Sequence, residues 1–386
     1  MTPHLVHVVT HAMSADHLLR GQLAAMRARG WRVTLVTGPD PRLAAVAARE
    51  GVEAVAVPIA REIAPAADAR TLMALVPLLR RLRPDVVNAS TPKAGLLGML
   101  AARAAGVPAR VYVLRGLRLE TATGARRRIL ATTERAAAAC AHRVVPVSPS
   151  LGRRAVEMGL VPARKLVSVG AGSSNGIAAA RFADPDPAAI ADLRERLSLP
   201  AGTPVVGFVG RFTRDKGIAE LVEAFDLLRA ARPDLRLLLV GAPEPGDPVA
   251  PGVLARIAAD PAIRAPGFLP DPAASYALMS VFAFPSRREG FPNVPLEAAA
   301  AGLPVVAARA TGSVDAVVDG ETGRLVPLGD ARALADALGR YLDDPGLAAA
   351  HGAAGQRRAH DDFAPERIWD GLDALYRRLL ADRPVR

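Results

Sequence analysis

Aromatic residues are scarce in this chain, at 4%, cysteine occurs once, and only three of the 49 basic residues are lysines. A single cysteine excludes an intrachain disulfide framework and fits a reducing compartment. Cys140 stands in an alanine-rich helical run, where a small buried side chain is expected rather than a nucleophile. No apolar run approaches about 18 residues, so no transmembrane helix is expected. The strand-like run Leu5-Val-His-Val-Val-Thr10 is not preceded by the charged segment of a secretory signal, and the expected location is the cytoplasm. The seven histidines form no H-E-x-x-H pair, so neither a metal site nor a cofactor is expected. Asp184-Pro-Asp186 has the spacing of a metal-holding acid pair, but it lies in a proline-rich stretch away from any strand end.

What is present is a large, unevenly charged chain. Its 386 residues, 51% of them hydrophobic, suit two domains with sizeable cores. Residues 1–182 hold 26 Lys and Arg against 10 Asp and Glu, whereas residues 183–386 hold 23 against 28. A basic half suggests an anionic partner, and a solvated arginine-rich surface is the plainer reading. The basic residues have no aromatic interleaving, so nucleic acid is not expected. Contact with anionic lipid at the inner face of the plasma membrane, or with a lipid-linked diphosphate, fits as well or better. Where arginine has displaced most lysines, Lys93, Lys165 and Lys216 mark places that suit a compact ammonium.

Short β-branched runs alternate with helical patterns. Strands are expected at 5–10, 32–37, 53–57, 85–88, 110–114 and 143–147, with helical stretches such as 15–29 and 94–105 between them. The turn-forming run Gly170-Ala-Gly-Ser-Ser-Asn-Gly176 reads as a flexible interdomain linker. The alternation then restarts with strands at 204–209, 235–240, 263–265, 281–284, 303–306 and 324–326. Runs that are apolar along their length imply parallel sheets covered on both faces. The expected fold class is therefore α/β, with two doubly wound, Rossmann-like domains at 1–171 and 172–366 facing a central cleft. A last helix, 367–386, anchored by Trp369 and Tyr376, is expected to pack back on the first domain.

Glu289-Gly-Phe-Pro-Asn-Val-Pro-Leu-Glu297 places one acid on a strand-to-helix loop and another about one turn into a helix. Amides at that helix start could hold an anion, with hydroxyls gripped on either side, as a nucleotide sugar requires. Glu297 could accept both hydroxyls of a ribose; alone, it is also a common first-turn glutamate matched to the helix dipole. Glu289 could bind sugar hydroxyls or stabilise positive charge at an anomeric carbon. Gly290 lets the backbone approach a ligand. In Val209-Gly-Arg-Phe-Thr-Arg-Asp-Lys-Gly217, Arg211 and Lys216 converge on a loop that leads into a helix, and a diphosphate is the natural ligand.

These motifs together make the chain resemble, nearly end to end, the family 4 retaining glycosyltransferases of GT-B fold. The carriers are the E-x7-E pair Glu289 and Glu297, the Gly210-Arg211 and Lys216 pattern, Ala301-Gly-Leu-Pro-Val-Val306 and Asp319-Gly-Glu-Thr-Gly323. The resemblance implies that Arg211 and Lys216 contact the diphosphate of a UDP-sugar and that Glu297 contacts its ribose. It places Glu289 and the backbone of Gly290, Phe291, Pro292 and Asn293 against the sugar. Phe268 and Leu269 would lie beside the base, with Gly210 and Val294 also on the donor side. Ser90-Thr-Pro-Lys-Ala-Gly-Leu-Leu97, Leu114-Arg-Gly-Leu-Arg-Leu-Glu-Thr121 and Gly172-Ser-Ser-Asn-Gly176 resemble the capsule- and lipopolysaccharide-type members. Such enzymes often act on a glycan acceptor linked to polyprenyl diphosphate, here implicating Ser14, Lys93, Arg115 and Arg118.

Arg115 departs from the family pattern, in which a histidine is common after the fifth strand. Arginine cannot act as a base at neutral pH. His11-Ala-Met-Ser-Ala-Asp16 likewise replaces a common Gly-Gly loop. Rival readings are a sugar-nucleotide epimerase, a non-catalytic sugar-nucleotide-binding protein, and a transferase acting on a natural-product scaffold.

Overall fold

The computed structural model describes residues 2–60, 64–244 and 246–382. The chain forms two compact units, one of residues 1–176 with 365–386 and one of residues 177–364. The boundary follows Gly176, slightly beyond the 171/172 division expected from the sequence.

The first unit is built on β1 (His4–Val8), β2 (Arg32–Thr37), β3 (Glu53–Ala56), β4 (Val86–Ser90), β5 (Ala109–Leu114) and β6 (Arg143–Pro146). The order is β3-β2-β1-β4-β5-β6, all parallel. β1 and β4 are buried at every position, whereas β3 at the edge is not. The run apolar throughout is thus a property of central strands, which are covered on both faces. The helix expected over 15–29 is two, Ala12–Leu18 and Gln22–Ala28. Gly21 breaks it in a left-handed conformation, and buried Glu50 accepts the amides of Gly21 (3.0 Å) and Ala24 (3.2 Å).

The 170–176 run is pinned rather than loose. Ser173 donates its amide to Val147 (2.7 Å), its hydroxyl accepts from Gly176, and the Asn175 amide reaches Arg20 O (2.8 Å). Turn-forming residues satisfy buried backbone groups here instead of exposing them. The last helix, Pro365–Ala381, belongs to this unit. Its apolar stripe of Ile368, Leu372, Leu375, Tyr376 and Leu379 is buried. Trp369 donates to Asn175 (2.8 Å), and Trp31 donates to Asp373 (2.6 Å). The final residues of the expected 367–386 span, 383–386, lie outside the described residues.

Lys165 uses all three of its protons on the carbonyls of Ala138, Ala139 and Ala141, at 2.8–2.9 Å. It thereby satisfies acceptors at the end of the helix Gly124–Cys140, which a compact ammonium can do. Within that helix, buried Glu134 accepts a hydrogen bond from Tyr112 (2.7 Å). Burial pushes its carboxyl up to about 7, against an opposing effect of the Tyr112 hydroxyl. A raised acid favours the folded state while protonated, so this stabilisation is full below pH about 4.5 and lost as pH rises to about 7. On this basis Glu134 alone contributes a fall on the order of 2–4 kcal/mol across that window. Denaturation at pH 5 and pH 8 should show Glu134→Gln lacking this component; an unchanged pH slope would refute it.

The second unit contains β7 (Val205–Val209), β8 (Arg236–Val240), β9 (Ile263–Gly267), β10 (Val281–Phe284), β11 (Val305–Ala308) and β12 (Gly323–Val326). Their order, β12-β11-β10-β7-β8-β9, is again parallel throughout. The few aromatics serve this core: Phe208, Phe225, Tyr276, Phe282 and Phe284 are fully buried. Asp186 caps the helix Pro187–Arg196 by accepting from Ala188 (2.9 Å). No helix among the described residues is long and apolar enough to cross a membrane.

Candidate active site

Both doubly wound sheets reverse strand order at one point, between β1 and β4 and between β7 and β10. Ligands of such folds bind at the carboxyl ends of the strands near that reversal. In the second unit the loop after β7 and the loop after β10 meet there.

The β7 loop carries Gly210 and Arg211, then a 3-10 turn over Arg214–Lys216, then the helix Ile218–Arg229. The Lys216 ammonium pairs with Oε1 of Glu289 across the two loops. Ser286, fully buried, donates to the same oxygen at 2.7 Å. Both partners of the ion pair are largely shielded, at 14% and 13% exposure, so water screens the pair little. Arg211 is more open and pairs with Glu244. Each candidate diphosphate cation is therefore held by a carboxylate.

Asp215 binds the two loops into one frame. Its carboxylate accepts from Thr213 (2.5 Å) and Arg288 (3.0 Å), and its carbonyl accepts from the amide of Arg287 (2.7 Å). Burial would raise the Asp215 carboxyl, but the Thr213 hydroxyl and the charges of Lys216 and Arg288 bring it below its ordinary value. Gly217 completes the junction. A Cβ there would lie 2.4 Å from the carbonyl oxygen of Pro285, and its φ of +71° is left-handed. Asp215, Gly217, Ser286 and Arg288 were missed by sequence reasoning. Only the tripeptide Asp215-Lys-Gly217, lying within a recognised loop, could have signalled two of them.

Glu297 lies in the first turn of Val294–Ala300 and is mostly buried. Its carboxyl accepts from the Tyr276 hydroxyl at 2.8 Å, and burial raises its pKa despite that bond. The helix whose first amides were expected to hold the anion has seven residues. Phe291 turns its ring inward onto Phe363 (centroids 5.3 Å apart), and Pro292 is buried, so these residues offer backbone rather than side chains. Asn293 and Val294, like Gly290, are only partly covered. Phe268, just after β9, is 69% exposed beside Leu269.

In the first unit, Ser14, Lys93, Arg115 and Arg118 all follow the carboxyl ends of β1, β4 or β5. They are not alike. Ser14 lies in the helix Ala12–Leu18, and Arg118 begins a 3-10 turn. Lys93 is engaged with Asp68 at 2.6 Å. Arg115 turns inward, with Nε and Nη1 buried. Thr91, just before Lys93, has a φ of +70°, a strained conformation for a β-branched residue, and its hydroxyl meets that of Thr10 at 2.6 Å. This strained point at the strand-order reversal was not legible in the sequence. Among the described residues no group of three or more His, Cys, Asp or Glu is placed to hold a metal ion.

The chain matches two family models, Glycosyl transferase 4-like domain over residues 16–172 and Glycosyl transferases group 1 over residues 203–344. It is 33% identical to the capsular polysaccharide biosynthesis glycosyltransferase CapM of Staphylococcus aureus, across 98% of each chain. A GDP-mannose-dependent alpha-(1-6)-phosphatidylinositol monomannoside mannosyltransferase of Mycolicibacterium smegmatis is 37% identical over 54% of this chain and 55% of its own. The fold matches the UDP complex of HepE from Anabaena with a TM-score of 0.80, covering 98% of this chain and all of that one, at 21% identity. The two parallel six-stranded sheets are those of the GT-B architecture. The chain belongs to the group 1, family 4-like glycosyltransferases, and it is a glycosyltransferase.

Proposed function

We propose that this enzyme transfers a hexose or N-acetylhexosamine, with retention of configuration, from a UDP-sugar to a glycan acceptor carried on polyprenyl diphosphate. The setting would be the assembly of a cell-surface polysaccharide. The carrying observation is the junction of Lys216, Glu289 and Ser286, with Arg211 on the same loop as Lys216. Likeness to CapM over nearly the whole chain supports the polysaccharide setting.

In this reading the donor diphosphate displaces Glu289 from Lys216 and Glu244 from Arg211. The two cations then stabilise charge on the leaving diphosphate as the glycosidic bond breaks. Glu289, still oriented by Ser286, turns to the hydroxyls of the transferred sugar. The acceptor hydroxyl attacks the anomeric carbon from the face the diphosphate leaves, and its proton passes to the departing phosphate oxygen. Glu297 receives the ribose hydroxyls, Phe268 and Leu269 lie beside the base, and backbone groups of Gly290 to Val294 and of Gly210 line the donor. Ser14, Lys93 and Arg118 serve the acceptor. The reaction needs no metal or other cofactor, since Arg211 and Lys216 supply the positive charge. The basic first unit touches anionic lipid at the inner face of the plasma membrane, where the acceptor resides.

Nucleotide release is the direct test. UDP-sugars and GDP-mannose are offered with and without a polyprenyl-diphosphate-linked sugar, in the presence of a chelator. Release from a UDP-sugar that depends on the acceptor and survives the chelator is expected. Acceptor-dependent release from GDP-mannose alone would replace the base assignment, and interconversion of a UDP-sugar without acceptor would replace transfer by epimerisation.

A further inference from the structure

Arg115, partly covered in the first unit, has no carboxylate partner among the described residues. Arg115 leaves the end of β5 and turns its guanidinium into a small cavity between the sheet and the helix Pro365–Ala381. Asn88, Ser173 and Ser174 line that cavity with Arg115, and Ile368 and Leu372 close it from the helix. It has room for about one water-sized particle. Nε and Nη1 of Arg115 are buried with no hydrogen-bond partner, and no carboxylate pairs with the side chain among the described residues.

The Tyr376 hydroxyl already accepts from Asn88, which leaves its proton to give. Gln22, which also lines the cavity, donates its Nε2 to Oδ1 of Asn175 (3.2 Å), an oxygen shared with Trp369 (2.8 Å). Nε2 of His7, on β1, is also buried without a partner. Burial, then the charge of Arg115, drives the His7 imidazole down to about 3, so His7 stays neutral at physiological pH. Burial lowers Arg115 only to about 10, so Arg115 stays charged. Two buried N–H groups of a cation left without acceptors are unfavourable. A water could accept the two N–H bonds but could not neutralise the charge.

We propose that this cavity is a binding site for one compact anion, a halide or a single anionic oxygen, held by Nε and Nη1 of Arg115 beneath the C-terminal helix. Two sources share this chemistry: a free inorganic anion, and an anionic group of the acceptor. The second source rests on the proposed function; the site itself does not.

The chain has two tryptophans, Trp31 and Trp369, and both report on this region. Trp31 stands edge-on to Tyr376 at 5.8 Å, and Trp369 lies on the covering helix. The test is a fluorescence titration of the full chain with sodium chloride, and separately with sodium acetate. Ionic strength is held constant with a bulky organic sulfonate. A saturable emission change with a midpoint of about 1–50 mM is expected for at least one probe, with a rise of about 2 °C in the melting temperature of the tryptophan signal. Arg115→Gln abolishes both responses. In sulfonate alone that variant melts no lower than the wild type, because it removes a cation whose two buried N–H groups are left without acceptors.

A purely structural arginine predicts the opposite order of stability. No saturable response in the wild type, or the same response in Arg115→Gln, overturns the proposal. Should Arg115→Gln fail to fold, Arg115→Lys, which keeps the charge but loses the two-pronged fork, must raise the midpoint at least tenfold. An unmoved midpoint there is equally fatal. Polyprenyl diphosphate separates the sources: a competitive shift of the chloride midpoint assigns the site to the substrate, and an unmoved midpoint assigns it to a free anion.

Discussion

Lys216→Ala lowers turnover by about 10²–10³-fold while the protein remains folded, and Glu289→Ala does the same. The expectation follows from where these side chains meet. The Lys216 ammonium is confined by Glu289 and lies 5.7 Å above the ring of Phe284, in a setting shielded from solvent. A charge held there in advance need not be reorganised when the diphosphate begins to leave, so its contribution falls mainly on the transition state. The loss should therefore appear in kcat and kcat/KM together rather than in KM alone. Because the two residues form one ion pair, the double variant should lose much less than the product of the single losses. Circular dichroism and denaturation midpoints separate loss of chemistry from loss of fold. Wild-type-like transfer by both single variants would remove this junction from the mechanism.

The second large effect is expected at a residue with no side chain. Gly241 follows β8 with a φ of +143°, and a Cβ added there would stand 1.8 Å from the carbonyl oxygen of Gly210. That oxygen belongs to the backbone just before Arg211, so it cannot yield as a flexible side chain would. Gly241→Ala should cost on the order of 2–4 kcal/mol through this clash and the unfavourable dihedral. It should also displace the cationic loop and lower nucleotide release. Denaturant unfolding of the variant, read with a donor assay, tests both parts. Full stability together with full activity would show that the loops can separate without consequence.

Lys216 and Glu289 were legible because each lies in a loop with a recognisable pattern. Gly241 was not, because the atom it must avoid is 31 positions away in a neighbouring loop. Ser286 and Asp215 were invisible for the same reason: a serine and an aspartate carry no pattern that says which carboxylate or backbone they will orient. Glu297 was read correctly as a first-turn glutamate, but its partner Tyr276 lies 21 residues earlier and could not be inferred. Arg115 was placed rightly after β5. Its direction, inward rather than toward the open edge, emerges only once the last helix covers the sheet.

The chain alone determined the alternation of twelve short strands with helices, and hence two parallel sheets, because that pattern is set by periodicities of a few residues. It also determined which loops carry the cations and acids of the candidate site. Tertiary structure decided which of those groups are paired, desolvated or strained. Those properties depend on atoms brought together from distant positions: Lys216 with Glu289, Arg115 beneath the helix Pro365–Ala381, Gly241 against Gly210. Charge and shape are local to a residue, but the removal of water around it is a property of the packed unit.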